Sequence, residues 1–134
     1  MTPPSTSYGL SRTLDMPFEE ADRRVREALQ QEGFGVLTEI DVRETLKKKL
    51  DVDFRPYRIL GACNPPLAHK ALSAEEQVGL LLPCNVIVYQ GAEEGSSVVA
   101  VLDPRAQLAV AGNPVLDELG AEVLSRMERV LANL

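Results

Sequence analysis

The sequence predicts one α+β domain over residues 1–134, with a sheet that is at least partly antiparallel. Three observations carry this. Helix-period and strand-period segments alternate along the chain. Two apolar runs, Cys84–Tyr89 and Ser97–Leu102, flank the short polar stretch Gln90–Gly95, which reads as a hairpin. At 134 residues and 45% hydrophobic content, the chain is long and apolar enough to bury a core without disulfides or a structural metal.

The elements follow in order. Tyr8 to Leu14 carries a weak strand signal. Asp15 and Pro17 then open an amphipathic helix with Phe18, Ala21, Val25, Ala28 and Leu29 on one stripe, and Gly33 ends it. Phe34 to Ile40 reads as a strand. Asp41 caps a second helix, with Glu44 as its capping-box partner. Lys47, Lys48 and Lys49 stand at that helix's end, where cations oppose the macrodipole. Pro56 interrupts the chain before a strand from Tyr57 to Cys63. Asn64-Pro65 starts a short helix through Leu72, and Ser73 with Glu76 offers a further capping box. Asn113-Pro114 opens the last helix, where Leu116, Leu119, Val123, Met127, Val130 and Leu134 recur at spacings of three and four. The expected order is β-α-β-α-β-α-β-β-α.

Both hairpin strands are apolar on consecutive residues: Val86, Ile87 and Val88 in one, Val98 to Val101 in the other. A sheet wet on one side would alternate, so each face is expected to be covered. A homodimer or larger homo-oligomer is the expected source of that cover.

Charge and composition restrict the functional classes. Net charge is −6, and residues 71–134 hold 3 basic against 9 acidic side chains, while residues 1–70 hold 11 of each. Nucleic acid is not an expected partner, because the basic footprint that displaces phosphate counterions is missing. No apolar run approaches the roughly 20 residues of a membrane span. The stretch MTPPSTSYGL has no basic segment followed by an apolar one, so no signal peptide is expected and a cytoplasmic location is the default.

The blocks Gly33–Val42, Tyr57–Pro65 and Leu81–Val86, with Asp103-Pro104 and Asn113-Pro114 more weakly, resemble the domain-of-unknown-function family numbered 302. The resemblance covers nearly the whole chain. It implies a two-layer domain with a curved, mostly antiparallel sheet and helices, similar to TATA-binding-protein-like folds. It implies no reaction and no particular cofactor.

The candidate site residues are Tyr57, Cys63, Asn64, His69, Cys84 and Asn85. Each cysteine precedes an asparagine at a strand end. Two cysteines without CxxC spacing are expected to be reduced thiols. Cys63 lies at the start of a helix, where unpaired amides would favour thiolate, and Cys84 does not. His69 could serve Cys63 as a base only if the chain folded back tightly. Cys63, Cys84 and His69 together have the ligand count of a catalytic zinc site but match no zinc spacing, and no metal is expected. Gly33 and Gly35 do not form a phosphate loop. The leading reading is a homodimeric module that binds a small ligand or a partner. A thiol-dependent enzyme or redox sensor using Cys63 is the alternative, and a metal-binding module is a weaker one.

Overall fold

A computed structural model describes residues 6–134; residues 1–5, the start of the stretch read above for a signal peptide, lie outside the described residues. Five strands form one sheet: β1 (Gly9–Leu14), β2 (Gly35–Asp41), β3 (Tyr57–Cys63), β4 (Cys84–Gln90) and β5 (Ser97–Leu102). Their order is β1-β5-β4-β3-β2, and every pairing is antiparallel. Helices α1 (Phe18–Gln31), α3 (Pro65–Ala74), α4 (Pro104–Ala109) and α5 (Pro114–Ala132) supply the second layer. Helix α2 (Val42–Leu50) has no buried residue and packs against β2 and β3. The class is α+β.

Most helix starts follow the expected chemistry. Asp41 Oδ1 accepts from the Glu44 amide at 2.9 Å, and Asn64 Oδ1 accepts from the Leu67 amide at 3.3 Å. Asn113 Oδ1 accepts from the Val115 amide at 3.0 Å. Each satisfies a first-turn N–H that has no partner inside its helix. Gly33, at φ +84°, takes the left-handed conformation just past α1.

Three expectations need correction. Asp15 does not cap α1; Pro17 occupies the N-cap position, with no side-chain capping bond. Ser73 does not start a helix, because α3 continues through Ala74 and a six-residue 3-10 turn, Glu76–Leu81, follows from Glu75. The sequence reading omitted α4, whose cap is Asp103. Within one chain, the main helical layer covers one face of the sheet.

Strand register explains that last point. On the helix side lie the rows Glu39–Leu60–Val86–Val101–Leu10 and Asp41–Arg58–Val88–Val99–Arg12. Leu60, Val86, Val88, Val99 and Val101 are buried in the core with Val25, Leu29, Leu116, Met127 and Val130. The charged residues of these rows stand on β1, β2 and β3, outside the apolar stretch of β4 and β5. Arg58 binds Glu19 at 2.9 Å and Asp22 at 3.4 Å, while Arg26 binds Asp22 at 2.9 Å and Glu39 at 2.5 Å, tying α1 to β2 and β3. On the other side run the rows Ile40–Ile59–Ile87–Ala100–Ser11 and Tyr57–Tyr89–Val98–Thr13. No charged residue stands in either.

Candidate functional site

An apolar cleft of about 320 Å³ opens on the helix side of the sheet. Its floor is the end of β3 and the start of β4, with Ala62, Cys63 and Cys84. Leu67, Ala68 and Ala71 of α3 form one wall, and Pro104, Gln107 and Leu108 of α4 form the other. Both helices pack on α5, which closes the back with Leu119 and Val123. Alanine at positions 68 and 71 of α3 leaves room that leucines would fill.

The sequence dictates how the wall elements are held. Asn64 is buried and uses both ends of its amide. Its oxygen caps α3, and its Nδ2 donates to the Glu32 carbonyl at 3.5 Å. The Arg126 guanidinium donates to the same carbonyl at 2.9 Å, so the exit of α1 is joined to α3 and α5. On the opposite wall, Asp103 Oδ1 accepts from the Arg105 amide at 2.9 Å. The Arg105 side chain also bonds to Asp103 and holds its carboxyl below the usual range.

Gln107 is the principal polar anchor of the cleft, and it too is buried. Its Nε2 donates to the Leu81 carbonyl and, at 3.4 Å, to the Pro83 carbonyl. Its Oε1 accepts from the Cys84 thiol at 3.3 Å. One amide thereby fixes the segment leading into β4. Burial, with a further contribution from neighbouring Cys63, pushes the Cys84 pKa up to about 11. Cys84 is therefore a neutral thiol and hydrogen-bond donor near pH 7. Both cysteines are free, and each is partly exposed.

The structure brings together some of the expected site residues and separates others. Cys63, Asn64 and Cys84 all line the cleft. His69, the chain's single histidine, is exposed on α3 and is not part of the lining. The Cys–His pairing considered for catalysis is thus not assembled. Nor is the three-ligand set: among the described residues, no three His, Cys, Asp or Glu side chains group as they would around a metal ion. Asn85 is exposed and lines a separate concavity of about 300 Å³ on the outer sheet face, with Tyr8, Ile87 and Tyr89. Tyr57 is on that outer face, stacked on Tyr89 with centroids 5.2 Å apart. The strand period explains why Cys84 and Asn85 part: adjacent residues point to opposite faces.

Sequence reasoning missed Gln107, Ala68, Ala71, Leu119 and Val123. The available signal for Gln107 was a lone amide in the otherwise mostly apolar Pro104–Ala109 run, three residues past an Asp-Pro cap. A larger concavity, about 460 Å³, is lined by Glu39, Asp41, Glu44 and Arg58. It is the weaker candidate, because Arg58 is already paired with the carboxylates around it.

A family model described as "Domain of unknown function DUF302" matches residues 10–134. A solved structure, "Crystal structure of uncharacterized conserved protein DUF302 from Bacillus stearothermophilus", is 32% identical to this chain, with a TM-score of 0.86. The match covers 96% of this chain and 98% of that one. No curated protein matches in sequence. Among the described residues, no helix is long and apolar enough to cross a membrane.

Proposed function

The chain belongs to the DUF302 family, and from that premise we propose that it is a binding module for a small, largely apolar molecule seated in the cleft between α3 and α4. One observation carries the reading. The cleft is lined mainly by hydrocarbon, and the amides of Asn64 and Gln107 are already engaged by protein partners. A strongly polar ligand would lose its water without gaining partners. A hydrocarbon chain or aromatic ring loses nothing, and the volume lies at the small end of ligand pockets. Thr38 and Cys63 remain as weak polar handles.

The test uses N-phenyl-1-naphthylamine, an uncharged probe whose emission rises in apolar surroundings. Saturable binding of one probe per chain is expected. Ala68→Phe, which fills the cleft from a half-buried position, should weaken it by about tenfold or more, or ~1.4 kcal/mol. Urea melts of the variant guard against unfolding. No saturable binding to the wild-type chain, or equal binding to the folded variant, would overturn the reading.

Thiol chemistry at Cys63 is a second reading, supported by a free, partly exposed cysteine that lines the cleft while Cys84 is committed to Gln107. Cys63 should alkylate before Cys84 in the native protein near neutral pH. Mass spectrometry of the two peptides over time reads this, and faster labelling of Cys84 would remove it. Two free thiols also support a reducing, cytoplasmic setting.

A further inference from the structure

The outer sheet face lies on the opposite side from the cleft and carries the second inference, independently of the first. The charged residues in the paired rows, Arg12, Glu39, Asp41 and Arg58, all stand on the helix side. The outer rows described above contain none. This inverts the normal arrangement, in which the solvent face of an antiparallel sheet is the polar one. All three tyrosines of the chain also gather here. Tyr57 stacks on Tyr89, and Tyr8 lines the same concavity as Tyr89. Burial, aided by nearby Tyr89 and Tyr8, raises the Tyr57 pKa above its ordinary value. Phenol rings suit a surface that is apolar in one state and wet in another.

Size alone does not decide the matter. Five strands about 4.8 Å apart, each six or seven residues long at ~3.3 Å per residue, give a face of roughly 400 Å² in projection. Monomers leave patches of that size in water. Composition decides it. Depletion of charge together with enrichment in tyrosine marks the core of a protein interface.

We propose that a second copy of this chain packs on this face, outer sheet against outer sheet. Charge selects the occupant. With a net charge of −6, two copies repel wherever acidic surfaces meet. A two-fold axis brings the same patch of each copy together, so a self-pairing surface cannot be dominated by one sign of charge. This face meets that condition: its strand rows carry no charge, and its one nearby cation, Arg55, lies over the Tyr89 ring 5.9 Å from the centroid. Ile87 stands in the middle strand of the five, opposite Ile59 and Ala100, and so lies near the axis.

Sedimentation velocity at micromolar concentrations tests the proposal. The wild-type chain should sediment with twice its 14.6 kDa mass. Ile87→Glu and, separately, Ala100→Glu should each sediment as a folded monomer, with circular dichroism confirming the fold. Ala100 is the second site in case Ile87→Glu does not fold. Mixing Ala100→Glu with Ala100→Lys should restore dimer, because opposite charges then meet where like charges did. The chain has no tryptophan, so its intrinsic emission reports on the three tyrosines, and acrylamide should quench it more strongly in the monomers. A monomeric wild type would overturn the proposal. A dimer that survives both substitutions would also overturn it, by placing the contact at a sheet edge or on the helices.

Discussion

The two faces of this sheet are built from neighbouring residues of the same strands, yet they handle apolar surface in opposite ways. On the helix side, Leu60, Val86, Val88, Val99 and Val101 are sealed beneath α1 and α5, and the charges of the same rows stand on β1, β2 and β3, where Arg58 pairs with α1 and β2 carboxylates. On the outer side, Ile59, Ile87 and Ala100 are only partly shielded by their own neighbours, and no charge interrupts them. Hydrophobicity along the strand does not distinguish these situations, because both faces are apolar. The location of the charges does.

The largest effect expected from this contrast compares adjacent positions. Val86→Asp places a carboxylate at a fully buried site whose cross-strand neighbours are Leu60 and Val101, so it has no partner; it should cost more than about 4 kcal/mol, enough to abolish folding. Ile87→Glu, one residue away, should leave a folded monomer. Urea denaturation of both variants checks this, and comparable losses would mean that the faces do not differ as described.

A smaller effect concerns the cleft floor. Cys84 is neutral in the fold up to about pH 11, whereas in the unfolded chain it ionises near 9.0. Its contribution is fully present below pH 9 and is lost as pH rises towards 11. The displacement corresponds to roughly 3 kcal/mol at ~1.4 kcal/mol per pH unit. Stability measured from pH 8 to 11 should fall more steeply in the wild type than in Cys84→Val. Equal slopes would place Cys84 in water rather than in the cleft wall.

The smallest effects come from the caps. Asn64→Ala should cost about 1–2 kcal/mol, because it removes both the α3 cap and a bond to the Glu32 carbonyl inside the buried wall. Asp41→Ala, at the more exposed start of α2, should cost about 1 kcal/mol, and Asp41→Asn only a few tenths. Thermal melts rank the three, and a larger loss at Asp41 than at Asn64 would reverse the contrast.

Local chemistry made much of the fold readable from the sequence. Asn64-Pro65, Asn113-Pro114 and Asp41 cap helices where expected, and β3 spans Tyr57–Cys63 as read. Helix α4 was not legible, because six residues do not complete two turns and show no period. Asp15 looked like a cap because Asp is favoured there, but Pro17 took the position instead. The cleft was half legible. Cys63, Asn64 and Cys84 are close in chain order to the strand ends that form its floor. Gln107, Leu119 and Val123 reach it only through packing of distant helices, which no short spacing encodes. His69 was judged by its distance along the chain from Cys63, and the orientation of α3 instead leaves it exposed. The segregation of charge to one face becomes visible only when strand register aligns Asp41 with Arg58 and Arg12 with Val99.

The central claim is that the helix-side cleft, and not the outer face, takes the small molecule. Amide chemical-shift mapping during titration with N-phenyl-1-naphthylamine tests it most directly. Saturable shifts should concentrate at Cys63, Leu67, Ala71, Cys84 and Gln107, with Ile59, Ile87 and Ala100 unmoved. Shifts confined to the outer strands, or spread evenly over both faces, would contradict the account.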